Sequence, residues 1–236
     1  MNRQRVIPKA FALMELLVVM TIIASLAALL LPALAKSKAS AQRAVCTSNL
    51  KQVCLGAKMY ADDHGQTLPS LVRSNVDLWN GYKSVVKGYV GLAGVSSPHD
   101  LVFACPADWF YTTSAKEAYT NSPLHEQARS DFSSYDYNTG NLKKVNGTNL
   151  AGIAGLKETA IREPSKTILI GEMPAWICFS WHAPQRASAF NGAMNLTSFV
   201  DGHVSYIPFY FDAARTDRAT LSYDPPGGYD YRWSAQ

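Results

Sequence analysis

The residue types that could do chemistry in this chain fall into three sets. His182 precedes Asp201-Gly202-His203 by nineteen residues. A hairpin at Asp201-Gly202 could bring Asp201 and His203 near His182, and such a set could hold a divalent cation. A mixed histidine–carboxylate set would suit zinc better than calcium. The simpler reading is that Asp-Gly satisfies a turn and the histidines hydrogen-bond nearby loops. The second set is four cysteines, Cys46, Cys54, Cys105 and Cys178, with no C-x-x-C pair; that spacing argues against a zinc ribbon or a thioredoxin-type site. One or two disulfides fit if the body lies outside the cytoplasm. Cys46 could pair with Cys105, Cys178 is an equal candidate for Cys105, and all four could be small buried residues. The third is a single acid, Glu15, inside an apolar run.

No recognised catalytic arrangement accompanies them. The chain holds no Gly-x-Ser-x-Gly elbow, no phosphate-cradling glycine loop and no His-Glu-x-x-His, so a non-enzymatic role is expected. Charge narrows the field further. Of 22 Lys and Arg, three (Arg3, Arg5 and Lys9) precede the apolar run, and the other 19 nearly balance 18 Asp and Glu. Without a basic stripe interleaved with aromatics, nucleic-acid partners are not expected.

Phe11 to Ala35 is 25 residues with Glu15 as the one charge, and about 20 apolar residues are enough to cross a bilayer. The basic residues ahead of it predict a cytoplasmic N-terminus with the remaining chain across the membrane. A carboxylate placed centrally in such a span costs roughly 2.5–3.5 kcal/mol, less near its end, so Glu15 calls for a partner. A free N-terminal amine on a neighbouring copy would serve; the plainer reading is that Glu15 marks the edge of the span. Helical patterning continues past Ala35. Val45, Cys46, Asn49, Leu50, Val53, Cys54, Ala57 and Tyr60 recur at i, i+3/i+4 spacing, which predicts an amphipathic continuation. Gly65 and Pro69 predict its stop near residues 62–65.

Lys9-Ala10-Phe11-Ala-Leu-Met-Glu15-Leu-Leu-Val-Val resembles the prepilin peptidase site of type IV pilins and type II secretion pseudopilins. The resemblance implies removal of a leader after Ala10, N-methylation of a mature Phe11, and Glu15 as the acid that guides assembly. It departs from the pattern at Ala10, where the family normally has glycine. Pro32 also falls where pilins commonly carry a helix-loosening proline. Asn49-Leu-Lys-Gln52, Tyr60-Ala-Asp-Asp63, Phe103-Ala-Cys-Pro-Ala-Asp108, Ser134-Tyr-Asp-Tyr-Asn138, Pro164-Ser-Lys-Thr-Ile-Leu-Ile-Gly-Glu172 and Phe199-Val-Asp-Gly-His-Val204 are similar to pilin-like proteins of the planctomycete–verrucomicrobial group. In that group a histidine stands upstream of an Asp-Gly-His turn.

The resemblance implies an inner-membrane, single-pass subunit with a periplasmic body, possible entry into an extracellular filament, and no cofactor beyond a divalent cation. Its implied partners are the prepilin peptidase, other pilin or pseudopilin subunits, and a secretion or pilus assembly platform. The rival reading is an exported or membrane-tethered binding module for polysaccharide or a surface partner. Ala33-Leu34-Ala35 would then be an ordinary signal-peptide site.

The expected organisation is a leader at 1–10, a transmembrane helix at 11–35, its amphipathic continuation at 36–64, and a β-rich body at 65–236 with an irregular C-terminal tail. The expected fold is α+β, a long N-terminal helix packed on a small, mainly antiparallel sheet with long loops. Strands are predicted at Thr167–Ile170, Asn195–Val200 and His203–Ile207, with a further one at Leu101–Phe103.

Overall fold

A computed structural model describes residues 13–70, 76, 78–108, 122–142, 144–145, 148–182, 191–212 and 224–236. Its elements are helices α1 (Leu13–Asp63) and α2 (Lys83–Val86), and strands β1 (Tyr135–Tyr137), β2 (Lys144–Val145), β3 (Thr148–Asn149), β4 (Ile168–Glu172), β5 (Ala193–Phe199) and β6 (Val204–Phe209). The architecture is α+β, as expected from the sequence.

Leucine, alanine and methionine dominate the first half of α1, and no glycine interrupts it before Gly56; these are the strongest helix formers. Pro32 lies inside the helix without ending it, at the loss of the hydrogen bond its nitrogen would have donated to Ala28. In the second half Cys46, Leu50, Val53, Cys54, Gly56, Ala57 and Ala61 are buried. The predicted stripe is therefore present, shifted at its edges: Val45 is 46% exposed, and Gly56 and Ala61 join. Gly56 is there for close approach. A Cβ on it would stand 2.8 Å from Val90 Cγ1 and 3.1 Å from Val86 Cγ1, so a side chain would push that segment away. The helix ends as predicted. Gly65 and Gln66 take left-handed φ of 63°, and Gln66 N–H donates to the Ala61 carbonyl at 2.8 Å, satisfying an end-of-helix acceptor.

Two compact units divide the chain after Ala41. The second half of α1 thus belongs to the same compact unit as the sheet.

The main sheet has the order β1-β4-β5-β6, and every pairing in it is antiparallel. β5 and β6 form the predicted hairpin, with Ser198 opposite Val204 and Gly202 at φ 93° in the turn. β4 carries a register shift between Ile168 and Ile170. A separate two-stranded ribbon pairs β2 with β3. The helix stripe packs into one apolar cluster with Tyr82, Phe103, Tyr135, Tyr137, Leu169 and Leu196.

One expectation is corrected. Leu101–Phe103 is a 3-10 turn, not a strand. Phe103 and Ala104 N–H bond back to the carbonyls of Asp100 and Leu101, which buries Phe103 and leaves Leu101 66% exposed. The residues before and after it, Asp100 and Cys105-Pro106, leave too little chain for a ladder.

The C-terminal segment is irregular as expected, with no helix or strand in its described part, residues 224–236, yet it is packed onto the body. Tyr231 and Trp233 are buried in a second cluster with Ile168, Trp176, Phe199 and Phe209. Arg232 exchanges backbone hydrogen bonds with Lys166 and Ile168, and Asp224 accepts from the N–H groups of Trp233 and Ser234. Large aromatic area outweighs the turn-rich composition that precedes it.

Candidate functional site

Two arrangements among the described residues are candidates. The first is the apolar run of α1. Its leucines, isoleucines and valines face outward on all sides: Leu13 is 83% exposed, Leu29 77% and Ile23 56%. A helix apolar all round has no polar face to offer water. This one is long and apolar enough to cross a membrane. Glu15 lies in its first turn, where a negative charge is favoured by the unsatisfied N–H groups of a helix start. Ala10 and Phe11 lie outside the described residues.

The second is a buried polar cluster in the body. α1 supplies Cys46, the loop after the Leu101–Phe103 turn supplies Cys105, β4 ends at Glu172, and the segment leading out of the 3-10 turn Met173–Ile177 supplies His182. Cys46 and Cys105 are joined by a disulfide, S–S 2.09 Å, which resolves the alternatives the sequence left open. Cys54 and Cys178 are free and buried; burial pushes both thiols up from their ordinary range. The disulfide closes a loop between residues 59 apart in sequence, and in the chain-entropy account such a closure is worth about 2–4 kcal/mol.

Glu172 and His182 press on this bond. Glu172 Oε1 lies 2.7 Å from His182 Nε2 and 3.3 Å from Cys105 Sγ, and His182 Nε2 lies 3.7 Å from the same sulfur. A disulfide sulfur carries no proton, so the carboxylate's approach to it is a contact, not a hydrogen bond. The side chains of Glu172 and His182 are 0% and 2% exposed. Glu172 Oε2 accepts from Leu196 N–H at 3.0 Å, so the carboxylate is anchored at both oxygens, as a buried carboxylate must be.

The predicted set His182, Asp201 and His203 does not come together. Asp201 and His203 pair with each other, Nδ1 to Oδ1 2.7 Å, at the tip of the β5–β6 hairpin. His203 stacks on Phe199 with ring centroids 4.2 Å apart, and its N–H donates to Asp201 Oδ1. That is turn chemistry. The tip is fastened to α1, since Lys58 Nζ donates to the Val200 carbonyl at 2.9 Å and Lys51 Nζ donates to that of Gly202. His182 instead sits level with Leu196, through Glu172, and edge-on to Tyr206. Leu196 is four residues from Val200 along the strand, about 13 Å at the usual rise.

Sequence reasoning missed Glu172 as a site residue. The signal was an ionisable group ending the β-branched run Thr167-Ile-Leu-Ile170, a run that reads as buried on both faces.

The fold and these two arrangements define an α+β protein whose N-terminal helix is long and apolar enough to span a membrane. Comparison of the chain with protein-family models, curated proteins and solved structures finds no match.

Proposed function

We propose that this protein is a non-enzymatic pilin-like subunit. The apolar run of α1 holds it in the inner membrane, with the N-terminus cytoplasmic and the body periplasmic. A prepilin peptidase removes Met1–Ala10, Phe11 becomes the methylated N-terminus, and α1 assembles with other pilin or pseudopilin subunits on a secretion or pilus platform. The product is a type IV pilus or a type II secretion pseudopilus.

One observation carries this reading: a single helix is apolar and exposed all round in its first part and buries one stripe in its second. A plain export signal needs only the first part. An assembling subunit needs both, one for its neighbours and one for its own body. Glu15 suits the role of assembly acid, because an ion pair with a neighbour's N-terminal amine would offset the cost of placing a carboxylate in an apolar span.

Coexpression with a prepilin peptidase tests it. The mature N-terminus is expected at Phe11 by mass spectrometry. Processing to Lys36 would instead make the chain an exported module and refute the proposal. Glu15→Ala is expected to leave the protein in the membrane while abolishing filaments that sediment; unimpaired filaments would remove the role assigned to Glu15.

A further inference from the structure

We propose that Cys46, Cys105, Glu172 and His182 form a zinc site in the reduced protein, which alternates with the Cys46–Cys105 disulfide of the oxidised one. The candidate donor atoms all lie within 4.8 Å of one another. Tetrahedral zinc, with bonds of about 2.0 Å to nitrogen or oxygen and 2.3 Å to sulfur, spaces its donors about 3.3–3.8 Å apart. Two of the contacts here, 3.3 Å from Glu172 Oε1 to Cys105 Sγ and 3.7 Å from His182 Nε2 to Cys105 Sγ, already have that length. The 2.7 Å between carboxylate and imidazole needs a small opening. The sulfurs, once unbonded, separate by themselves to van der Waals distance.

The direction of the imidazole favours a metal over a nucleophile. In a cysteine–histidine–acid triad the acid holds one ring nitrogen and the thiol faces the other. Here Nε2 faces both Glu172 Oε1 and Cys105 Sγ, so the donor atoms converge on one point. Two thiolates with an imidazole and a carboxylate suit zinc and not calcium or magnesium, which take oxygen ligands. The supports that orient metal ligands are also present. Leu196 N–H holds Glu172, and Cys105 N–H donates to Ser134 Oγ at 3.0 Å, whose hydroxyl donates to Asp108 Oδ2 at 2.7 Å.

The exchange balances. A dithiol reductant transfers two electrons and two protons to the S–S bond, giving two thiols and leaving as its own disulfide. Zn²⁺ then displaces the two thiol protons as two Zn–S bonds form. In reverse, a small-molecule disulfide accepts two electrons from the two thiolates and two protons from solvent. It leaves as two thiols, the cysteine sulfurs rejoin, and Zn²⁺ departs. Both states tie Cys46 of α1 to Cys105 in the loop after the Leu101–Phe103 turn, so the body keeps its helix fastened in either redox environment. The inference does not depend on the pilin reading.

The test uses the full chain in detergent micelles, reduced with a phosphine, with Co²⁺ as a spectroscopic probe. One equivalent of Co²⁺ is expected to give the visible bands of tetrahedral cobalt with a sulfur-to-cobalt charge-transfer band. One equivalent of Zn²⁺ should abolish them. The oxidised protein should give neither. His182→Ala, which removes a ligand, should weaken cobalt binding by more than the roughly tenfold to hundredfold that loss of an outer partner causes. A reduced wild type without the tetrahedral spectrum, or an oxidised one that shows it, overturns the proposal. Because buried substitutions can unfold the body, a second measurement uses the wild type alone. Zinc at about ten times its Kd should slow reoxidation of the thiols by oxidised glutathione about tenfold; an unchanged rate also overturns it.

Discussion

Leu29 and Leu50 stand on the same helix, yet Leu29 is 77% exposed and Leu50 is fully buried. Around Leu29 the neighbours are Leu26, Ala28, Leu30, Pro32 and Ala33, with Ser25 as the one polar side chain within a turn. Around Leu50 they are Lys51, Gln52, Asn49 and Ser48, so that only one face is apolar. Water explains the second pattern and cannot explain the first. One helix thus carries two patterns, and under the proposed membrane placement exposure has opposite meanings in its two parts. An exposed leucine after residue 42 is incidental surface. An unbroken sheath of them before Ala35 is a contiguous apolar surface far beyond what soluble proteins show.

The sharpest test of this contrast is the same substitution in both parts. Leu50→Ala should destabilise the body by about 2–5 kcal/mol, because it removes a fully buried side chain from a packed cluster. Denaturant unfolding followed by tryptophan fluorescence would measure it, and a loss under about 1 kcal/mol would break the assignment of the stripe. Next in size is Ile23→Lys, near the middle of the apolar run. It should cost membrane insertion about 2.5–3.5 kcal/mol, read as a fall in the glycosylated or protease-protected fraction in an insertion assay, while the body's unfolding midpoint stays put.

Alkali should separate the two parts next. Tyr82, Tyr135 and Tyr137 are fully buried, and burial raises all three phenols. The folded state therefore keeps protons that the unfolded state releases above its ordinary pKa of about 10. By linkage, stability is undiminished below pH 10 and falls as pH rises beyond it, by about 1.4 kcal/mol per pH unit for each phenol. Lys83, whose pKa burial lowers, works in the opposite sense, but only below its ordinary value of 10.5, where the unfolded state alone holds the proton; it does not offset the loss at higher pH. The apolar run has no tyrosine, so its helical circular dichroism should survive after the body's near-ultraviolet signal is lost. The smallest effect is Leu16→Ala. At a position already 52% exposed, it should change the body's stability by less than about 0.5 kcal/mol, and a larger change would show that the first part of α1 supports the body directly.

How far the molecule could be read in advance differs by element. The helix, its stop at Gly65 and the Asp201-Gly202 hairpin were legible because each follows from local chemistry: periodicity, a left-handed stop, a turn that needs glycine. Leu101–Phe103 was not, since three apolar residues bounded by Asp100 and Pro106 do not say whether their N–H groups find a strand or their own preceding carbonyls. Tyr231 and Trp233 were hidden by the Pro225-Pro-Gly-Gly228 that precedes them. Composition reports the turn and says nothing of the aromatic cluster behind it. The buried trio of Lys83, Lys87 and Asp100, with Nζ–Oδ2 distances of 3.1 and 2.8 Å, left no mark at all, because surface lysines and buried lysines look alike in a sequence.

The candidate sites divide along the same line. Residue order alone establishes the 25-residue apolar run with Glu15 near its start, since crossing a bilayer depends on length and hydropathy within one continuous segment. Which cysteine meets which depends on chain 59 residues apart, and whether His182 meets Glu172 or the Asp201-Gly202 turn depends on how the chain packs after it leaves β4. That packing brings His182 to Glu172 and the disulfide, and leaves Asp201 and His203 to each other at the hairpin tip. Local spacing finds the Asp201–His203 pair, two residues apart, but not the partners of His182 and Cys46, because those are set by packing across the body and not by neighbours along the chain.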